Sequence, residues 1–384
     1  KVNILEIDPC NLESVIEQDK NESLSHFRER FHFPKFNSDR SYIYFSGNSL
    51  GIQPDTAKQY VMEELDAWKH LAVGAHLESK RPWLPYHEFL TPYSAEIVGA
   101  LDKEVVVMNS LTVNLHLLMA SFYRPMGKRK KILIEKQAFP SDRYAVQSQL
   151  KFHGNDPNDD LILLKPDEEG YTSMIAIENC LKNHGEEIAL VLMGGVNYFT
   201  GQAFDMAAIT DMAQNCGCRV GFDLAHAAGN LKLNLHEWGV DFAAWCGYKY
   251  LNGGPGAPSG VFIHERHLGR LDLPRFEGWW GQDKTTRFDM PDDFKPLQTV
   301  EAWQLSNPPI LSMAALLASL EIFHVAGMIP LRRKSEKLTS YFEILITSEL
   351  TEQIEIITPI SPKSRGCQLS LRMLKPINNI TKLL

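Results

Sequence analysis

Asp223 and His226 are spaced in a way that suits chemistry at the end of a strand. The segment GFDLAH at 221–226 runs from apolar residues into Asp223, and His226 follows three residues later. In α/β proteins, ligands bind where the strands of the sheet end. The same pattern also fits an acid that caps the next helix. These six residues alone therefore leave a binding site and a helix cap open.

A lysine follows the next apolar run. In WCGYKYLNGG at 245–254, Lys249 stands between Tyr248 and Tyr250, with glycines behind it. Apolar and aromatic surroundings disfavour the charged form of a lysine. An uncharged amine is what a Schiff base with a carbonyl group requires. The alternative is a lysine at the edge of the sheet with its amine in solvent.

Together, Lys249 and Asp223 match the two requirements of pyridoxal 5′-phosphate (PLP). This cofactor needs an amine for its aldehyde and an acid beside its pyridine nitrogen. The acid keeps the nitrogen protonated, so that the ring accepts electrons. Because both residues come at successive strand ends, the sequence predicts a PLP site there.

Two further segments offer places for the phosphate and the ring. EVVVMNSLTVNLH at 104–116 predicts a strand, a polar turn and a helix, with Asn109, Ser110 and Thr112 at the start of that helix. A helix N-terminus binds anions, although ordinary helix caps carry the same residues. In AFPSD at 138–142, the Phe139 ring is placed to stack on a flat cofactor. Alternatively, Phe139 is a core residue, and Ser141 or Asp142 caps the following helix.

Other kinds of site have no support in the sequence. It lacks the G-x-G-x-x-G, Walker A and H-E-x-x-H patterns, and although GNSLG at 47–51 has the G-x-S-x-G spacing, we expect no nucleophile elbow. The pairs His87–Glu88 and His236–Glu237 have no second histidine at helical spacing, so we expect exposed polar pairs and no metal. A net charge of −8 gives no reason to expect nucleic acid as a partner. No apolar run approaches the roughly 20 residues of a membrane helix.

The cysteines favour a reducing compartment. The six cysteines are spread along 384 residues and form neither a small disulfide framework nor a paired zinc motif. No signal peptide is visible from Lys1 onward. We therefore expect a cytoplasmic protein.

The predicted elements form an α/β pattern. Predicted strands lie at 131–135, 188–196, 219–223, 242–246 and 259–264, and predicted helices at 113–122, 144–152, 175–183 and 206–215. Such alternation indicates a mostly parallel sheet flanked by helices. Residues 1–41 contain a predicted helix at 24–31. Beyond Pro309, helices at 310–325 and 331–347 and strands at 354–358 and 367–373 indicate a smaller α+β unit. We predict an N-terminal segment at 1–41 that joins this unit, a large domain at 42–305 and a small domain at 306–384.

At these residues the sequence resembles the kynureninases, a family of fold-type-I PLP enzymes. The matching segments follow the order of the family and cover about residues 42–325: YFSGNSLG at 44–51, KRPW at 80–83, LTVNLH at 111–116, FPSD at 139–142, FDLAHA at 222–227, YKYLN at 248–252, GWWG at 278–281 and SNPP at 306–309. FDLAHA alone fits several PLP families, whereas the combination is far more specific.

The resemblance implies roles for particular residues. Lys249 resembles the Schiff-base lysine, Asp223 the partner of the pyridine nitrogen with His226 beside it, and Tyr248 a phosphate ligand. Apart from the resemblance, we expect Tyr248, or a water that it holds, to assist proton transfer. The other implied cofactor contacts are Leu111, Thr112, Phe139, Pro140, Ser141 and Asp142. Trp279 and Asn307 resemble residues supplied across the interface of a homodimer. Ser49, His76 and Asn307 lie where the family shapes the substrate side.

The sequence departs from the family in three places. Gly194 stands where some relatives have a hydroxyl contact to the cofactor, and Gly247 where relatives often have serine. The family also has a later segment whose arginine binds the substrate α-carboxylate, and the sequence to Leu384 contains no counterpart. We expect residues 378–384 to be part of a helix that continues in the family.

The resemblance implies hydrolysis of L-kynurenine or 3-hydroxy-L-kynurenine to an anthranilate and L-alanine, in tryptophan catabolism. The substrate is then a small amino acid, with neither nucleic acid nor membrane as a partner. Two alternatives stay open. One is another fold-type-I activity, such as a desulfurase, β-lyase or aminotransferase. The other is a PLP-fold binding protein without activity, which only the missing arginine segment favours.

Overall fold

The computed structural model describes residues 12–38 and 40–374. Cys10 and the predicted helix at 378–384 therefore lie outside the described residues. Near the N-terminus, helix α1 spans Leu12–Lys20, and the predicted helix at 24–31 is a 3-10 helix at Ser25–Arg30. Strands β1 (Phe31–His32) and β2 (Gln53–Pro54) then form a short antiparallel pair.

A seven-stranded sheet forms the centre of the molecule. Its strands, in chain order, are β3 (Val105–Met108), β4 (Lys131–Glu135), β5 (Leu161–Leu164), β6 (Ile188–Gly194), β7 (Arg219–Asp223), β8 (Phe242–Trp245) and β9 (Ser259–Ile263). Their spatial order is β3-β9-β8-β7-β6-β4-β5. The pairings from β8 across to β5 are parallel, and β9 is antiparallel to both of its neighbours. The predicted mostly parallel sheet is confirmed.

Both faces of this sheet are covered by other parts of the chain. Because side chains alternate along each strand, a single strand packs into the core on both sides. On β4, Leu133 packs into the core on one face, whereas Ile132 and Ile134 pack into the core on the other. Continuous apolar strands are typical of a sheet that helices cover on both sides. Strand β6 shows this most clearly, because all of its residues before Gly194 are buried.

Helices connect the strands and form the two covering layers. In chain order they are α2 (Ala57–Leu71), α3 (Ala75–Glu78), α4 (Thr91–Val98), α5 (Leu111–Phe122), α6 (Pro140–Phe152), α7 (Pro157–Asp160), α8 (Met174–His184) and α9 (Met206–Asn215). The four helices predicted between the strands are all present, and the prediction for α9 has the observed bounds. Helix α2 and strand β5 were not predicted from the sequence.

The C-terminal part adds two long helices and a small sheet. Helix α10 (Ile310–Ala326) lies in the main core, and α11 (Met328–Glu349) follows it. The predicted start of α11, after Pro330, is three residues late, because proline is tolerated in the first turn of a helix. Strands β10 (Ile354–Ile356) and β11 (Leu371–Met373) pair antiparallel. The predicted strand at 367–373 begins only at Leu371, because the residues before it bond to loops of the main sheet, as Cys367 does through its N–H to Asn230 Oδ1 (2.9 Å).

Within the described ranges, no single helix is both long and apolar enough to cross a membrane. Together α10 and α11 meet a test of length and composition, but their axes differ in direction by 83°. The domain boundaries at 41/42 and 305/306 stay predictions.

Candidate active site

A cavity of about 520 Å³ opens where the parallel strands end. It lies at the ends of three neighbouring strands, β4, β6 and β7, which finish at Glu135, Gly194 and Asp223. Ten of the predicted site residues line it: Ser49, Leu111, Thr112, Phe139, Ser141, Asp142, Asp223, His226, Tyr248 and Lys249. The fold therefore brings together residues that are up to 200 positions apart in the chain (249 − 49 = 200).

The amine of Lys249 points into this cavity from the turn after β8. Its Nζ lies 3.1 Å from His226 Nε2 and 5.7 Å from the centre of the Phe139 ring. The turn is held from outside by the loop at 47–51, whose Gly51 N–H donates to the Tyr248 carbonyl (2.9 Å). A side chain at Gly51 would lie 2.4 Å from the Lys249 carbonyl, so glycine is needed for this close approach.

His226 is a neutral neighbour of the lysine. Burial, and then the charge of Lys249, lowers the pKa of His226 to about 4. At neutral pH the ring therefore has one N–H and one lone pair, and its Nδ1 has no hydrogen-bond partner among the described residues. A neutral ring orients the lysine amine without competing with it for charge.

Three carboxyl groups also line the cavity. Asp223 is 7% exposed and accepts a hydrogen bond from the Ala225 N–H (2.7 Å). Asp142 and Glu135 are also buried, and Asp142 Oδ1 has no hydrogen-bond partner in the described part of the chain. Burial raises the pKa of all three groups; for Asp142 the charge of Asp223 adds to the effect, and for Glu135 the pKa reaches about 7. The cavity therefore holds buried acid that lacks a full set of partners.

The N-terminus of α5 forms a third wall and is suited to an anion. Ser110 occupies the cap position with an extended backbone, but its side chain accepts no hydrogen bond from the helix. The first N–H groups of this 12-residue helix are thus not capped by a side chain. The Thr112 and Ser141 hydroxyls lie 2.7 Å apart beside it. This wall fits a phosphate group.

An aromatic wall completes the cavity. The Phe139 ring meets the Tyr198 ring edge to face, with 5.2 Å between the ring centres. Phe139 is 47% exposed, so it is not the core residue of the alternative interpretation. An exposed ring beside the lysine amine suits a flat aromatic ligand.

Four predicted site residues do not line the cavity of this chain. Pro140 is the first residue of α6 and borders a separate surface depression. The His76 ring bonds to the Val73 carbonyl (3.0 Å), and Asn307 is exposed. Trp279 is 40% exposed, and its indole N–H donates to the Arg287 carbonyl (3.1 Å).

The sequence interpretation missed three polar residues of the site: Asn48, Glu135 and Tyr198. Glu135 had a usable signal, because it ends a predicted strand just as Asp223 does. Asn48 lies in a segment whose similarity was noticed without a role. Tyr198 follows β6 in a loop, where no pattern pointed to it.

Among residues 12–38 and 40–374, two clusters outside the cavity have residue types that bind metals, and hydrogen bonds within the protein already account for both. Glu104 accepts bonds from His236, the Leu101 N–H and the Glu265 N–H. In the second cluster, Glu301 bonds to His87 (2.8 Å) and pairs with Lys284 (2.6 Å). The expectation that His87 is exposed is wrong, because its bond to Glu301 holds it in the interior, where it is 1% exposed.

The cavity fits PLP in each of its parts. Lys249 offers the amine, and the buried carboxyls offer an acid that has few protein partners. The α5 N-terminus offers the phosphate site, and Phe139 offers a stacking surface. No cysteine of the described ranges lines the cavity, although a desulfurase requires a nucleophilic thiol at its site.

Comparison with known proteins defines the class. The family model described as aminotransferase class-V matches residues 93–375, which contain the sheet and most of the cavity. A cysteine desulfurase from Thermococcus onnurineus superposes with a TM-score of 0.69 at 19% identity, over 86% of this chain and 79% of that one. This likeness supports the fold alone. The protein is a class-V aminotransferase-fold enzyme, and its cofactor is PLP.

Sequence similarity is much closer to one group within this class. A kynureninase of Myxococcus xanthus is 55% identical over 355 residues, which cover 92% of this chain and 83% of the relative. A kynureninase of Koribacter versatilis is 54% identical over 361 residues, 94% of this chain and 85% of the relative. The chain belongs to the kynureninase family.

Proposed function

We propose that this protein hydrolyses the Cβ–Cγ bond of L-kynurenine, 3-hydroxy-L-kynurenine or both. The products are anthranilate or 3-hydroxyanthranilate and L-alanine, in the kynurenine pathway of tryptophan catabolism, which leads to NAD. The observation that carries the proposal is the cavity itself, where the Lys249 amine faces buried acid within a chain 55% identical to a kynureninase.

The predicted residues would hold the cofactor in the following way. The first N–H groups of α5, with the Thr112 and Ser141 hydroxyls, would hold the phosphate, and Phe139 would stack on the ring. Asp223 would pair with the ring nitrogen, and its contact with the Ala225 N–H fixes its orientation. When bound, PLP supplies an aldehyde for the amine and a ring that delocalises the electrons released at the substrate Cα.

Lys249 is the base of the reaction in this proposal. Its amine reaches into the cavity, and the neutral His226 ring beside it can accept one of its protons in a hydrogen bond. Lys249 takes the Cα proton of the substrate and returns a proton later, as a general base and acid. Tyr248, which also lines the cavity, assists the proton transfers through its hydroxyl or a water that it holds.

We propose that Trp279 and Asn307 act in the site of a second copy of the chain, in a homodimer. Both side chains are exposed and lie outside the cavity of their own chain, which supports a role elsewhere. Exposed apolar residues on and after α2 also need a cover, namely Trp68, Val73 and Leu77. In this arrangement Ser49, His76 and Asn307 shape the substrate side, and Pro140 shapes the backbone that carries Phe139.

We also propose a cytoplasmic location. The five cysteines within the described residues are all free thiols, which suits a reducing compartment. Fractionation of the source cells, with detection of the protein by antibody, tests this; recovery outside the cytoplasm would contradict it.

The test of the reaction uses the purified protein with PLP and each kynurenine. We expect a visible absorption band from the lysine-bound cofactor and release of a fluorescent anthranilate, and the substrate with the higher kcat/KM reveals the preference. Lys249→Ala should remove the band and lower turnover by at least about 10³-fold. A band without anthranilate release would refute the proposed reaction while leaving the cofactor, and sulfide release from cysteine would favour a desulfurase.

A further inference from the structure

Glu135 is a buried carboxyl group of the cavity to which neither the sequence nor the proposed mechanism assigns a task. It ends β4, its side chain is buried, and it lines the cavity. The next strand, β6, ends at Gly194, which pairs with Asp223 at the end of β7. Glu135, Gly194 and Asp223 thus lie side by side at the carboxyl ends of three neighbouring strands.

The absence of a side chain at Gly194 creates the space for this carboxyl group. A Cβ built on Gly194 would lie 2.9 Å from Glu135 Oε1, closer than real contacts allow. The φ angle of Gly194 is not in the left-handed region, so the backbone does not require glycine here. A larger residue at this position would have to displace the Glu135 carboxyl group.

A single side chain holds the carboxyl group in place. Asn197 donates from Nδ2 to Glu135 Oε2 (2.9 Å), and its own Oδ1 accepts from the Phe199 and Thr200 N–H groups (3.0 and 2.9 Å). Because the loop backbone fixes the amide of Asn197, the amide presents an N–H group to Glu135. Of the described residues, none forms an ion pair with Glu135.

The groups that face Glu135 are mostly acidic. Asp223 faces it from β7 and Asp142 from α6; the charge of Asp223 raises the pKa of Glu135, and the charges of Asp223 and Glu135 raise the pKa of Asp142. Lys249, with neutral His226 beside it, is the cation that acts on both aspartates. Ionising all three buried carboxyls beside a single lysine is unfavourable, because the negative charges repel one another.

We propose that Glu135 is a positioning residue of this site, which acts through Asp142 and Asp223 by controlling how many negative charges the three carboxyls carry together. With a proton on Glu135, Asp223 is free to remain ionised. When Glu135 loses this proton, the added charge holds protons on its neighbours to higher pH. This inference rests on the proposed cofactor site.

The test compares Glu135→Gln with the wild type, because glutamine keeps the shape and the bond from Asn197 but never ionises. In the apoprotein, infrared spectra of the carboxylic acid C=O stretch are recorded across the pH range. We expect the variant to lack one signal that titrates near neutral pH, and its remaining buried carboxyl signals to titrate at lower pH. With PLP bound, the midpoint pH of the visible absorption change should fall by about one pH unit.

Two further variants serve as controls for this test. Glu104→Gln alters an equally buried glutamate that does not line the cavity, so the cavity signals should titrate as in the wild type. Gly194→Ala keeps the acid but pushes its Oε1 aside, so we expect the same signals to shift without the loss of one. It also replaces Glu135→Gln if that variant does not fold.

Unchanged titration of the remaining carboxyls in Glu135→Gln, or a shift equally large in Glu104→Gln, would overturn the inference. The apoprotein measurement does not depend on the reaction. A wild type that bound PLP and released no anthranilate would therefore count against the proposed function and leave the role of Glu135 to be decided by its own titration.

Discussion

Two buried aspartates on neighbouring stretches of the same sheet have opposite surroundings. Asp241 lies just before β8, at the end opposite the cavity, and Asp223 ends β7 beside the cavity; they are 1% and 7% exposed. Asp241 bonds to His267 (2.7 Å), Arg266 (2.8 Å) and the Val220 N–H (2.8 Å). Although burial opposes it, these partners lower the pKa of Asp241, whereas the pKa of Asp223 is raised.

Both aspartates are buried, so the hydrogen-bond and ionic partners of each group determine whether its charge is stabilised. The partners of Asp241 stabilise its charge, so this group ties β7 to the turn after β9. Asp223 has one backbone donor and shares a side-chain hydrogen bond with Asp142, itself a buried acid, so burial still raises the pKa of Asp223. A group held in this way is available to a ligand, and its cost to stability is typical of functional sites.

The largest expected contrast comes from Asp223→Asn. This change removes the charge at the cavity, so we expect kcat/KM to fall on the order of 10³-fold. The free energy of unfolding of the apoprotein should not fall, because the change removes a buried carboxylate whose charge is disfavoured by burial. Kinetics with kynurenine and urea denaturation of the apoprotein measure the two effects. A clear loss of stability would show that Asp223 is structural, as Asp241 is.

Asp241→Asn should give the reverse result. It leaves Arg266 and His267 without their charged partner, and we expect the protein to lose about 3 kcal/mol of stability. At a temperature where the variant is folded, kcat/KM should stay near the wild-type value, since Asp241 does not line the cavity. A selective fall in activity in the fully folded variant would show that Asp241 acts in the reaction and is not only structural.

The pH dependence of stability should differ in sign between the regions. The pKa of Glu135 is raised from 4.5 to about 7. Its contribution to the free energy of unfolding is therefore fully present below its ordinary pKa and is lost as pH rises through about 7. This loss amounts to roughly 3 kcal/mol. The contribution of Asp241 is present above its ordinary pKa and is lost as pH falls through its lowered value. Urea denaturation of apoprotein from acid to neutral pH should therefore show a steeper decline in the wild type than in Glu135→Gln, in which only Asp142 and Asp223 of the three carboxyls have a raised pKa. An equal decline in both proteins would contradict this prediction.

Much of the fold follows from local patterns. The apolar run at 219–223 and the periodic segment at 206–215 have the observed bounds, because their side chains face a core that is continuous and apolar. Strand β5 was missed because it is a four-residue edge strand that is mostly half-buried. Helix α2 was missed because it has apolar residues on its exposed face and the acid Glu64 on its buried one, and its inward face packs against α10, which follows about 250 residues later, a partner that no local pattern reveals.

The site was predicted where one segment contains both a strand end and the chemistry. Lys249, Asp223 and Phe139 were found in this way, and the structure places all three at one cavity. Glu135 was not found, although it satisfies the same rule, because its significance depends on the missing side chain at Gly194. The places of Trp279 and Asn307 depend on a second copy of the chain, so their role stays a prediction.

Local sequence patterns were enough to predict the chemistry: an amine, an acid and an anion-binding turn, each at the end of an apolar run of the right length. Such features are local, because backbone conformation and side-chain type are set within a few residues. In contrast, it is the folded sheet that brings three carboxyls to one cavity and surrounds Asp241 with cations. Ionisation depends on burial and on neighbours brought together from distant parts of the chain, and these exist only once the sheet has formed.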